Sequence, residues 1–238
     1  MPVLPFPLCA LSDEIMGCLE LGRDLLFHKI PEADIPYYVH ASLRAGRLAA
    51  APYRGKNIRE MCREAGLRYE VTHASGTFHG VAFRAQIDFA ANPPEIIVYA
   101  DSLEGMRRVS REVLAEPRET SRSSNPEADL KLLIDIHLAH EFFHFLEYRD
   151  GAFTNERLER IEVFRLGPYT KKASVAQCSE IAAHAFCKTL LNLPCLPNLL
   201  DYVYLIKEGL MTGEQFQRRI EACKCWMSRP LHPSPGVI

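Results

Sequence analysis

The stretch His137-Leu138-Ala139-His140-Glu141-Phe142-Phe143-His144-Phe145-Leu146-Glu147-Tyr148 decides how the rest of the chain is read. It lies inside a run whose start and stop are both marked. Asn125 offers an N-cap oxygen, Pro126 suits the first helical position, and Glu127 and Asp129 place acids in the first turn, where the helix dipole favours them. Asp150 and Gly151 mark the other end. The spacing therefore predicts one long helix with His140 and His144 four residues apart on one face, close enough for both imidazoles to reach a single ion. Glu141 lies beside that face, where it can orient the attacking water and take its proton, as the base does in HExxH hydrolases. The neighbours Phe142, Phe143, Phe145 and Leu146 are apolar. Polar ligands on such a helix need a partner, because unpaired buried polar groups are costly, and a metal ion supplies one. Zinc is the expected metal.

A catalytic zinc takes three protein ligands and keeps a fourth position open. The expected third ligand is Glu180, 36 residues after His144 and early in the next strong helical pattern. Glu147, one turn beyond His144, is the rival, although three ligands in line on one helix bend awkwardly around a tetrahedral ion. His184 follows Glu180 by four residues and shares its face, and His137 precedes His140 by three. Each is a candidate to steady a ligand or to stabilise an oxyanion, beside the plainer alternative of a buried, hydrogen-bonded histidine. Tyr99, Tyr148, Tyr169 and Tyr202 are further oxyanion candidates.

Composition narrows the partners. With 28 Lys and Arg against 30 Asp and Glu, the formal charge is -2, and 47% of the 238 residues are hydrophobic. A globular chain is indicated, without the basic excess that binds nucleic acid or anionic lipid. No apolar run approaches the 18 or more residues that span a bilayer, and no basic segment precedes the apolar N-terminal residues, so a cytoplasmic protein is expected. The eight cysteines show no disulfide framework and read as free thiols, and Cys223-Lys224-Cys225 lacks the second pair that a four-cysteine zinc site requires.

Outward from the central stretch, helical spacing is expected near residues 10 to 30, with Ser12 as N-cap, and from Asn57 to Glu64, closed by Gly66. Alternation over Thr77 to Phe89 predicts a half-buried strand that pairs with Tyr69 to His73 and Glu95 to Tyr99 in a three-stranded meander. If that strand forms an edge beside the zinc helix, an extended peptide can add to it. Arg118 to Pro126, with Ser121, Ser123, Ser124 and Asn125 in quick succession, is expected to be an exposed polar loop. A helix starts near Ser174, whose spacing to Gln177 is that of a capping box. Two more follow, Asn198 to Glu208 and Gly213 to Trp226, before a proline-rich tail. The expected fold is α+β, a small, mostly antiparallel sheet packed on the HExxH helix and the Glu180 helix. Residues 1–56 form an N-terminal helical extension, 57–195 the core and 196–238 a C-terminal helical segment, in one compact unit.

Together, the HLAHEFFHFLEY segment and Ser179-Glu180-Ile181-Ala182-Ala183-His184-Ala185-Phe186-Cys187-Lys188-Thr189-Leu190-Leu191 resemble the ImmA/IrrE-type metallopeptidases, whose pattern is AHExxH followed by ExxAxxFAxxLLMP. Ala139 to His144 match the first part, and Glu180, Ala183, Phe186, Leu190 and Leu191 fall in register with the second. The likeness covers residues 57 to 195, and the chain departs from the pattern at Cys187 and Asn192 and in the position of Pro194. It implies a zincin-like core, zinc on His140, His144 and Glu180, and Glu141 as base. By analogy the activity is that of a cytoplasmic endopeptidase acting on a protein, such as a transcriptional regulator. The alternative is an inactive zinc-binding protein of the same fold that acts as a sensor or regulatory partner.

Overall fold

A computed structural model describes residues 11–74, 76–78, 81–114 and 126–230. In chain order the elements are α1 (Asp13–Leu21), α2 (Ile35–Ala50), α3 (Ile58–Glu64), β1 (Arg68–Thr72), β2 (Thr77–Phe78), β3 (Val81–Ala82), β4 (Ala85–Asp88), β5 (Glu95–Tyr99) and α4 (Ala100–Leu114). Then come α5 (Pro126–Asp150), α6 (Thr154–Arg157), β6 (Ile161–Leu166), β7 (Tyr169–Ala173), α7 (Gln177–Leu191), α8 (Leu199–Lys207) and α9 (Gly213–Met227). The protein is α+β, with helices dominating.

Local signals set several boundaries. Ser12 accepts a hydrogen bond from the Ile15 amide at 3.4 Å and Asn57 from that of Arg59 at 2.9 Å, so α1 and α3 begin where their caps stand. Gly66 and Gly151 take φ of 70° and 57° after α3 and α5, a conformation that glycine adopts without steric cost. Thr212 and Gln215 form a full capping box on α9. The start of α7 differs from expectation. It begins at Gln177 with no side-chain cap of its own, and the Gln177 amide donates to Asp24 Oδ2 at 3.0 Å. The capping oxygen comes from 153 residues away.

The meander is corrected. The single strand expected over Thr77 to Phe89 is three pieces: β2 and β3 pair with each other, and only β4 joins the larger sheet. Period-two alternation is the same in one straight strand and in the two arms of a hairpin, so it does not reveal the break. The sheet order is β1-β5-β4, with β1 parallel and β4 antiparallel to β5. This three-stranded sheet is therefore mixed. The apolar β5 takes the centre, with Ile96 and Val98 fully buried, while Arg68 and Glu70 suit β1 to an edge. Three further elements, α2, α4 and the hairpin β6–β7, were not anticipated.

The sheet packs on α5 through β4 and β5, whereas α7 packs on α2, α5 and α1. The closest approach is at Gly46 of α2: a Cβ there would overlap the Ala182 carbonyl and stand 2.9 Å from the Phe186 amide nitrogen. One hydrophobic core joins all three stretches of the chain, from Met16 and Leu21 through Leu138, Phe142 and Phe186 to Phe216 and Ile220. Among the described residues, no helix is long and apolar enough to cross a membrane.

Candidate metal centre

On α5 the apolar residues Phe142, Phe143 and Leu138 are buried, and the aromatic rings of Phe142 and Phe143 meet Phe186 of α7 at centroid distances of 6.3 and 5.6 Å. This contact between the two helices sets His140 and His144 against Glu180. His140 Nε2 stands 3.1 Å from Glu180 Oε2, His144 Nε2 stands 3.4 Å from Glu180 Oε1, and the two Nε2 atoms are 3.2 Å apart. Among the described residues these three form the group of His, Cys, Asp and Glu able to hold a metal ion, with ligand atoms all within 4.8 Å of one another. Two imidazole nitrogens and a carboxylate oxygen are a donor set that suits zinc.

Glu147 occupies another place. It is buried, its Oε1 accepts from the Thr154 amide at 2.7 Å and the Ser179 hydroxyl at 3.0 Å, and its Oε2 lies 3.3 Å from His144 Nδ1. A carboxylate on Nδ1 fixes a proton there and turns Nε2 toward Glu180, the arrangement by which outer carboxylates orient ligand histidines. Residues from α5, α6 and α7 thus hold one imidazole.

The electrostatics agree with this division. Burial pushes the Glu180 carboxyl up, but hydrogen bonds from His140 and His144 outweigh it and hold the carboxyl well below the usual range. Burial disfavours a charged His144, yet Glu147 and Glu180 outweigh it and push the imidazole up to about 10. A divalent ion competes with that proton for Nε2, so metal binding at this group releases protons. Glu141 is pushed up by burial and drawn down by the two histidines, and burial dominates.

A cavity of about 360 Å³ opens beside the group. His140, Glu141, Glu180, His137 and His184 all line it. His137 Nδ1 lies 2.8 Å from the Leu133 carbonyl oxygen, and burial pushes its imidazole down to about 4. The imidazole of His184 is 5.0 Å from that of His140 between centroids. The four tyrosines lie elsewhere: Tyr202 donates to the Leu19 carbonyl at 3.2 Å and stacks on Phe216, Tyr148 stacks on Phe89, Tyr169 is exposed on β7, and Tyr99 sits against Gly76. None of them lines this cavity. Cys223 is buried and Cys225 exposed, and both are free thiols outside the metal group. The polar loop expected over Arg118 to Pro126 lies outside the described residues, apart from Pro126, which opens α5.

The far wall of the cavity has residues that the sequence did not single out. Glu20 and Arg23 come from α1 and the turn after it, Asp201 from α8, and Arg84 from just before β4. Arg23 pairs with Glu20 at 3.1 Å, and Arg84 pairs with Asp201. Glu20, Arg23 and Asp201 lie outside the residues that the resemblance covers, Arg84 lies inside them, and no motif marks any of the four. Comparison with protein-family models, with curated proteins and with solved structures gives no match to this chain.

Proposed function

We propose that this chain is a zinc-dependent metallopeptidase of the ImmA/IrrE type, an endopeptidase acting on a cytoplasmic protein, with zinc held by His140, His144 and Glu180. The observation that carries the reading is the convergence of two Nε2 atoms and one carboxylate from two helices, with His140, Glu180 and Glu141 lining one cavity. A structural zinc would be closed off by four side chains, whereas three donors beside open space leave room for a substrate. Zinc bound there supplies Lewis-acid polarisation of the scissile carbonyl and lowers the pKa of water.

The protein's own groups do the rest. Glu141, whose affinity for a proton is raised by burial, takes the proton of the attacking water and passes it to the leaving amine. Glu147 keeps His144 in the tautomer that points Nε2 at the ligand group. β4 is an outer strand of its sheet, it packs on α5, and Ala85 at its start lines the cavity. An extended peptide added to β4 would lie across the ligand group, its backbone held by strand pairing.

The test pairs elemental analysis with hydrolysis of unfolded casein. Glu141→Gln is expected to keep one zinc per chain and to lose about 10³-fold or more in turnover. Wild-type turnover in that variant would remove Glu141 from the mechanism, and stoichiometric zinc with no hydrolysis by the wild type would assign the site to a zinc-binding regulator.

A further inference from the structure

Gln177, Glu180 and His184 fall at i, i+3 and i+7 on α7, and all three line the cavity. Glu180 is spent on the metal group. His184 has no partner that explains its position. Among the described residues its buried Nδ1 has no hydrogen bond, and its Nε2 lies 3.9 Å from Glu20 Oε2, beyond hydrogen-bond length. Glu20 does not need it: Oε2 accepts from Asn198 Nδ2 at 3.1 Å, and Arg23 reaches the same carboxylate. The polar end of this imidazole is thus left over by the fold, next to His140.

The tautomer follows from burial. A buried N–H without an acceptor costs more than an under-used lone pair is usually allowed to cost, and such orphaned donors are rare. The single proton of the neutral ring therefore belongs on Nε2, on the side of the Glu20 carboxylate, and an imidazolium would carry a proton there as well. In either form Nε2 is a donor. The groups around it are Glu20 and Arg23 from α1 and its turn, Glu180 on its own helix, and His137 and His140 on α5.

We infer that His184 is a catalytic residue whose Nε2–H donates a hydrogen bond to the scissile carbonyl oxygen of a bound peptide as that oxygen gains negative charge. The inference rests on the metallopeptidase reading above. It deepens that reading by supplying the fixed donor that acyl transfer requires, from the ligand helix rather than from any of the four tyrosines. The positive charge of the metal and a preorganised N–H would then approach the developing charge from α5 and α7 together.

The experiment uses the full chain loaded with Co²⁺ and, as probe, a tri-alanine analogue in which a phosphinate replaces the scissile amide. The probe's affinity is read from the visible cobalt spectrum. His184→Leu is expected to weaken the probe by about 30-fold or more while the spectrum and affinity of Co²⁺ itself stay as in the wild type. His184→Gln, which keeps an N–H near the position of Nε2, is expected to bind the probe within about threefold of the wild type. Probe binding unchanged in His184→Leu would overturn the role of His184 alone. So would a loss matched by an equal loss of Co²⁺, because that marks a residue that only shapes the cavity. Co²⁺ binding indifferent to Glu180→Ala, or a probe that the wild type does not bind, would overturn the metal-centre reading and this proposal with it.

Discussion

Helices α5 and α7 both bring side chains to the group that could hold a metal ion, and they are held in opposite ways. α5 is positioned by its own sequence: two histidines four apart face one way by helical geometry, and its C-terminal end is closed by Gly151. α7 depends on distant residues. Its N-terminal amide at Gln177 is met by Asp24, its backbone rests against Gly46 of α2, and its acid reaches the histidines because Phe186 packs on Phe142 and Phe143. One ligand pair is therefore a local property of twenty-five residues, and the third ligand is a property of the whole core. Substitutions at the tertiary supports of α7 should disturb the metal group although none of them touches it.

Gly46→Ala should show the largest effect. The added methyl meets main-chain atoms of α7 that cannot move independently, so a loss on the order of 4 kcal/mol is expected, together with weaker metal binding. Chemical denaturation and a metal titration check both, and an unchanged denaturation midpoint would show that α2 and α7 can separate freely.

Acid should act next, and through α5. His137 is pushed down to about 4 by burial, against about 6.5 in an unfolded chain. The unfolded state binds the extra proton, so the stability is fully present above about pH 6.5 and is lost as pH falls toward 4, by roughly 3 kcal/mol. His137→Leu should flatten that limb in denaturation midpoints taken across the range. An equally steep limb in the variant would move the effect to other groups, His184 first among them.

Glu147→Gln addresses the link between the two helices. It leaves His144 with a neutral partner, and zinc affinity measured against a chelator is expected to fall by about 10- to 100-fold. Asp24→Ala should be smallest, a loss of about 1 kcal/mol from an uncapped helix start, with a slight weakening of zinc binding through Glu180. If Asp24→Ala lowered zinc affinity more than Glu147→Gln, the third ligand rather than His144 would be the weak point.

Legibility followed the same division. The HExxH face, the caps at Ser12 and Asn57, and the turns at Gly66 and Gly151 rest on contacts between residues close in sequence, and each stands where its pattern places it. α2 and α4 were not anticipated, although Ile35, Tyr38, Val39, Ser42, Leu43 and Gly46 repeat at helical spacing and are buried, as are Leu103, Met106, Val109 and Val113. The division of Thr77 to Phe89 was not legible, because alternation is blind to where a strand turns. Nor was the parallel pairing of β1 with β5, because strands that neighbour in sequence need not neighbour in the sheet.

From sequence alone, then, came two imidazoles and a carboxyl on one helix and the candidacy of Glu180 among several acids. Those are matters of spacing, and helical spacing is rigid over one or two turns. Tertiary structure decided that Glu180 meets the histidines while Glu147 turns to the far side of His144. It also decided that α1 and α8 line the cavity with Glu20, Arg23 and Asp201, and that His184 stands there with its Nδ1 unpaired among the described residues. These outcomes depend on how buried faces from separate segments pack, and packing is settled by shape across the whole core rather than by any pattern within one stretch.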